Sequence, residues 1–581
     1  MSRKALEIGV AFKRDDVAKY IAQTWFNYNS QRTSMIERWK EIRNYVFATD
    51  TSTTSNKSLP WKNSTTLPKL CQIRDNLHSN YQSALFPNDD WLKWEPYSRQ
   101  DATKEKTLAI EAYMANKTRQ SHFRTETSKS ILDYIDYGNV FGTVEFEQSF
   151  ITNAKGERIP NYIGPRHKRI SPYDIVFNPL ASSFPESWKI IRELKDESTI
   201  RIMAEEEPEN MQLANAILNR KNLKNYAAAY GIENTDKADG FLVDGFGNYY
   251  DYLQSGYVEF LTFYGDIMDS EGVLRKGQKV VVIDRMWVIS FAPYVSWLGH
   301  APIYHVGWRM RPDNLWSMGP LENLVGMQYR IDHLENLKAD AMDLAVLPPL
   351  VIKGEVEEFK YAPNAEIHID ENGEVTELAR NVQWVIASDN SIQLLEQRME
   401  QYAGAPREAM GIRTPGEKTM YEVQRLENAA GRIFQEKITT FEVEYLEPIL
   451  NAMLETARRN LDRTDVLRVM DNDIGASTFM TITKDDIIAS GNIRPIGARH
   501  FAAQAQLVQN LTGLANTPVW NQIAPHMSSV NLAKLVEEVM GLRKYTVFKP
   551  NIAVVEQQET ARLANQAGEQ LQIEQATPPI E

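Results

Sequence analysis

Residues 317 to 405 constrain the architecture more than any other stretch. Ser317-Met318-Gly319-Pro320 opens a long amphipathic run that reaches Leu347 and stops at Pro348-Pro349. Leu321, Leu324, Ile331, Leu334, Leu337, Ala341 and Leu344 recur at helical spacing. Gly319 suits an N-cap and Pro320 suits the first helical position, where a missing N–H costs nothing. A helix over 319–347, about 27 residues at ~1.5 Å each, would span roughly 40 Å. Residues 350 to 386 alternate like short strands, with turns at 361–364 and 371–373. A second helical run, 389–405, returns and ends at Pro406. The stretch therefore predicts two long helices that flank a small β insert.

The first 318 residues predict helices and then an antiparallel sheet, an α+β organisation. Helices are expected over 18–47, from Trp61 to about Leu85, over 101–136 and over 185–230. Strands are expected over 91–95, 139–146, 170–179, 257–264, 278–291 and 302–308, with a turn at Lys276-Gly277. Thr419 to about Asn460 predicts a long helix kinked near Pro448, followed by a strand pair over 466–495 and helices at 497–515 and 529–541.

Charge narrows the function. The chain of 581 residues carries a formal net charge of −13, whereas a protein that grips nucleic acid along its surface is usually basic. The insert is more acidic still. Lys353, Lys360 and Arg380 stand against eight carboxylates there, a net −5. The polar face of the first long helix carries Glu322, Asp332, Glu335, Asp340 and Asp343 against Arg330 and Lys338. Solvation is the plain explanation of such a face. Cys71 is the single cysteine, which excludes an internal disulfide and a cysteine-based zinc site. No signal peptide and no apolar run of membrane-spanning length is expected.

Catalytic patterns are weak. Gly411-Ile412-Arg413-Thr414-Pro415-Gly416-Glu417-Lys418-Thr419 nearly matches the phosphate-binding loop GxxxxGK[ST]. Glu417 breaks the register between the second glycine and the lysine, and its carboxylate opposes phosphate. The nine histidines form no HExxH pattern, and GxSxG is absent. Asp471-Asn472-Asp473 reads as a turn, since nothing downstream completes a calcium loop. No catalytic residue, metal or cofactor is expected, and the chain reads as a non-enzyme.

Several segments, in order, resemble the bacteriophage portal proteins, the head-to-tail connectors, of the podovirus type. The resemblance rests on 61–70, on Ser83-Ala84-Leu85-Phe86-Pro87, on 170–179 and on Trp316-Ser317-Met318-Gly319-Pro320. It continues through 347–354, Gly411, 419–425 and 441–448. It implies a ring, typically of twelve copies, around a channel for double-stranded DNA. It also implies a portal-type fold, with an α/β wing (1–318), two stem helices (319–347 and 389–405), a β-containing clip (348–388) and a tunnel loop (406–418). A long helix and strands (419–496) would lead to a helical crown and tail (497–581). Arg407, Arg413 and Lys418 would face the DNA. Glu322, Arg330, Asp332, Glu335, Lys338, Asp340 and Asp343 would line the channel, at −3 per copy. Glu355, Glu357, Glu358, Asp370, Glu371 and Glu374 would form the clip's docking surface. The implied partners are the terminase motor, the tail adaptor, and the major capsid and scaffolding proteins. The implied setting is one capsid vertex of a virion assembled in the host cytoplasm, with no membrane. A packaging or remodelling ATPase using 411–419 and a ring adaptor without a channel are the other readings.

Overall fold

Arg32 divides the first helical run. The structure, a computed structural model, describes residues 15–206, 256–353, 374–377, 383–403, 433–460, 465–470, 477–482 and 484–495, apart from short turns within the longer stretches. Where one helix was expected over 18–47 there are two, α1 (Asp15–Gln31) and α2 (Thr33–Phe47). Arg32 leaves helical geometry at φ −96° and ψ 8°. Its buried guanidinium donates to Asn29 Oδ1 and to the carbonyls of Pro172 and Tyr173. A partner some 140 residues away thus sets a local break.

The next helix, α3 (Lys69–Leu85), starts later than expected, and 62–68 runs as an extended strap without regular structure. After β1 (Leu92–Pro96) the single helix expected over 101–136 is again two, α4 (Lys104–Gln120) and α5 (Phe123–Asp136). His122 between them adopts a left-handed φ of 55°, which ends the helical path. β2 (Asn139–Thr152) and β3 (Arg158–Ile170) form a long hairpin. A 3-10 turn at Pro172–Asp174 precedes β4 (Ile175–Phe177).

The helix expected over 185–230 is overturned at its start. Lys189–Asp196 is strand β5, hydrogen-bonded between β4 and β6 (Tyr257–Met268). Only then does α6 (Glu197–Glu206) begin, and 207–230 lies outside the described residues. β7 (Leu274–Ile283) and β8 (Trp287–Pro293) complete a five-stranded antiparallel sheet in the order β4-β5-β6-β7-β8. The run 278–291 is thus two strands, turned at Asp284 and Arg285, both with positive φ. Arg285 is held there by a buried two-point pair with Glu259. The turn expected at Lys276-Gly277 is a bulge inside β7 instead. Gly277 takes φ +58° and donates its N–H to Asp266 Oδ1. β9 (Ile303–Gly307) adds to the hairpin in the order β3-β2-β9, and β10 (Arg309–Arg311) pairs with β11 (Asn314–Met318).

The core gathers where these layers meet. Val17, Ile21 and Trp25 of α1 pack on Val176, Ile190, Leu261, Val280 and Val282 of the five-stranded sheet. Trp39 of α2 contacts the rings of Tyr137, Tyr173 and Trp316.

The remaining elements are α7 (Val325–Val346), the ribbon β12 (Leu350–Lys353) and β13 (Glu374–Glu377), and α8 (Gln383–Tyr402). A helical segment over 433–441 passes through a π turn at Glu442–Leu446 into α9 (Glu447–Asn460). The π turn lies just before Pro448, whose missing N–H already breaks the regular hydrogen-bond ladder. The strand pair expected over 466–495, with a helix at 485–490 between its strands, is overturned: β14 (Asp465–Met470) pairs with β15 (Ser477–Ile482), and both precede the helix. The short α10 (Lys484–Ile487) leads into β16 (Gly491–Pro495), which pairs with β1 rather than with its neighbours.

The described chain is therefore α+β. It forms two compact units, one of Met1–Leu85 with Thr118–Asn460, the other of Phe86–Lys117 with Leu461–Glu581. The β1–β16 ladder takes 86–117 into the second unit, where the Asp101 carboxylate also accepts the Ser490 N–H. The helices expected at 497–515 and 529–541 lie outside the described residues.

Candidate functional site: the paired long helices

The two long helices run antiparallel and are closed by a ribbon. Leu350 pairs with Glu377 and Lys353 with Glu374 in the β12–β13 ladder. Further down, Lys338 Nζ on α7 reaches Asp389 on α8 at 2.9 Å and Glu335 at 2.8 Å. Both carboxylates favour the ammonium form and hold the Lys338 pKa above its usual value. Ile392, Met399 and Ala403 are buried at spacings of seven and four, which marks the packed face of α8. At 22 and 20 residues the helices span about 33 and 30 Å.

The first helix begins at Val325, not at Gly319. Gly319 is required for a different reason than capping. A Cβ there would lie 3.0 Å from the Gly138 nitrogen, and one on Gly138 would lie 2.2 Å from the Gly319 nitrogen. Two backbone segments touch at this point, and only glycine allows it. The second helix begins at Gln383, six residues earlier than the expected 389.

The polar face of α7 binds the chain itself. Gln328, Asp332, Asn336 and Asp340 stand four residues apart, on adjacent turns. The strap 62–68 runs along them in the opposite direction. The Leu70 N–H donates to Gln328 Oε1 at 3.0 Å and the Leu67 N–H to Asp332 Oδ1 at 3.0 Å. The Thr65 N–H donates to Asn336 Oδ1 at 2.8 Å and the Asn63 N–H to Asp340 Oδ1 at 3.0 Å. Two amides answer in the other sense, Gln328 Nε2 to the Leu67 carbonyl and Asn336 Nδ2 to the Thr65 carbonyl. From Leu67 to Asn63 the periods match: two residues of extended chain advance about 6.6 Å, and four residues of helix about 6 Å. The helix side chains thus serve as the edge of a strand. At the far end Asp343 accepts from Asn63 Nδ2 at 3.0 Å.

At the near end a buried ion pair ties in α8. Lys69, at the start of α3, contacts Glu400 with both side chains 6% exposed, and also donates to Gln72.

This geometry divides the seven residues expected to line a channel. Asp332 has no exposed surface and leaves that set. Its burial pushes the carboxyl up to about 7, against the opposing pull of the Leu67 and Gln328 hydrogen bonds. Glu322 leaves it too, with a side chain 6% exposed. It lies 3.9 Å from Arg38 and accepts the Gly319 N–H at 3.4 Å, and burial raises its pKa. Glu335, Lys338 and Asp340 are half-buried, while Arg330 and Asp343 are exposed. The apolar stripe is divided as well. Leu321, Leu324 and Ile331 are buried, but Leu337 is 45% exposed, as is Met342, outside the stripe, at 51%. Leu394 of α8 and Val351 and Ile352 of β12 are exposed too.

Of the docking residues, Glu374 is exposed on β13 and paired with Lys353 at 3.1 Å. Glu355, Glu357, Glu358, Asp370 and Glu371 lie outside the described residues, as do Arg407, Arg413 and Lys418. Sequence reasoning missed Gln328 and Asn336. The available signal was a polar residue at every fourth position from 328 to 340, a period that solvation does not require.

Among the described residues no group of three or more His, Cys, Asp and Glu side chains could hold a metal ion. No described helix is long and apolar enough to cross a membrane. No protein-family model matches the chain, and no curated protein matches it significantly.

Proposed function

We propose that the chain is a portal-type protein, one stave of a ring-shaped DNA channel at a capsid vertex. The observation that carries this reading is the antiparallel pair α7–α8, closed by a β ribbon and left with Leu337, Met342 and Leu394 exposed. Isolated apolar residues on a surface are ordinary. Several along one helical hairpin suit a face that packs against the next copy, as a head-to-tail ring requires.

On this reading Arg330, Glu335, Lys338, Asp340 and Asp343 remain the candidates for the channel wall. A chain of net charge −13 repels DNA, so a duplex in the ring stays centred and mobile. Arg407, Arg413 and Lys418 supply transient phosphate contacts. The ribbon end, with Glu374, docks the terminase motor and later the tail adaptor. The protein itself is not the motor.

Negative-stain microscopy of the purified chain tests the proposal. A closed ring near twelve copies, with a hole wide enough for duplex DNA, is expected. A monomer, or a ring without a hole, overturns it. Binding or hydrolysis of ATP that depends on Lys418 would favour the ATPase reading instead.

A further inference from the structure

A cleft of about 220 Å3 lies away from the long helices, lined by α2, α3, α5 and β3. Its lining includes two guanidinium groups, those of Arg169 and Arg74. Asp133 and Asp136, one turn apart on α5, grip Arg169 of β3 and Arg74 of α3. Each carboxylate takes the Nε and Nη2 edge of its arginine. That edge-on grip fixes both forks. It leaves the Nη1 groups, with two N–H bonds each, turned away from their carboxylates. Arg169 Nη1 makes no hydrogen bond among the described residues. Arg74 Nη1 lies 3.6 Å from the exposed Asp75, beyond hydrogen-bonding distance.

Two more cations stand at the rim. Lys129 lies four residues before Asp133 on the same face of α5 and is 54% exposed, with Glu126 as its neighbour at 2.6 Å. Arg43, on the opposite wall, is exposed and has no ion pair or hydrogen bond among the described residues. Phe47, one turn beyond it, is 67% exposed, and the Arg74 guanidinium lies 5.5 Å from its ring centre. Four cations on four elements thus line one small space, two of them held rigid by Asp133 and Asp136, which line it as well.

We propose that this cleft binds a small free oxyanion of the phosphate class. The volume accommodates a tetrahedral anion with a few waters, each about 30 Å3, and excludes a duplex. The fixed forks supply planar donors, which guanidinium groups offer to phosphate better than ammonium groups do. Arg43 supplies the uncompensated charge, and Lys129 closes the rim.

The test is isothermal titration of the full chain with inorganic phosphate at constant ionic strength, against sodium chloride and a short blunt duplex DNA. Saturable phosphate binding that chloride does not reproduce is expected. Arg43→Gln and Lys129→Gln are surface changes that leave the fold intact, and each should weaken phosphate binding about tenfold, the loss of one charge-assisted contact. Lys19→Gln, on exposed α1 surface outside the cleft, should leave it unchanged. Absence of saturable phosphate binding overturns the proposal. So does an equal loss in Lys19→Gln, or binding of the duplex that Arg43→Gln abolishes while phosphate itself does not bind.

Discussion

Asp332 on the long helix accepts the backbone N–H of Leu67, 265 positions earlier, at 3.0 Å. One oxygen also receives Gln328 Nε2, and the other, Oδ2, has no hydrogen-bond partner among the described residues. The carboxylate is buried, with no cation paired to it among the described residues, so its neutral form is favoured in the folded chain. The folded pKa is about 7 against an ordinary 3.8. Below about pH 4 both folded and unfolded chains hold the proton. As pH rises to about 7 the unfolded chain releases it first, so stability falls through that window and stays lower above it. Asp332→Asn removes this dependence. The variant should match the natural chain near pH 4 and exceed it by at least about 1 kcal/mol at pH 8. Urea unfolding at the two pH values measures this, and an unchanged difference would count against a neutral Asp332.

Asn336 both accepts from and donates to Thr65, at 2.8 and 2.9 Å. Asn336→Ala leaves two partly buried backbone groups unpaired, at about 1–3 kcal/mol each. The chain should lose roughly 2–4 kcal/mol, and the Thr65 amide should exchange with solvent much faster. Exchange at Thr65 that is unaltered would mean the strap is held by something other than the ladder.

Lys69 and Glu400 form a pair hidden from water. Removing one partner strands a buried charge, which costs about 3–5 kcal/mol. Lys69→Met should therefore be more damaging than the double change Lys69→Met with Glu400→Leu. A double-mutant cycle by denaturant unfolding reads the difference. Additive losses would show that the two side chains do not depend on each other.

Leu337 and Leu394 are exposed in the single chain. Leu337→Glu and Leu394→Glu should each alter the stability of the isolated chain by no more than about 0.5 kcal/mol, as surface changes do. Both should convert an assembled ring to single chains under native mass spectrometry. Rings that survive both changes would place the contact between copies elsewhere.

How much of this was legible depends on where each partner lies. The ribbon strands at 350–353 and 374–377 and the returning helix follow from local pattern, while the turns expected at 361–364 and 371–373 lie outside the described residues. The break at Arg32 does not, because the carbonyls that hold its guanidinium belong to Pro172 and Tyr173. Lys189–Asp196 has a composition that suits a helix, and it is a strand because β4 and β6 offer open ladders on both sides. Gly319 read as a cap, whereas its requirement comes from the Gly138 backbone against it.

The sequence by itself determined that a long amphipathic helix stops before Pro348-Pro349 and that a second helix returns after a small acidic insert. It also determined the charge that disfavours gripping DNA. Tertiary structure alone decided what the polar face of that helix does. Its acceptors meet the backbone of a strap hundreds of residues away, and backbone N–H groups are present at every residue but proline, so no side-chain pattern in the strap announces the match.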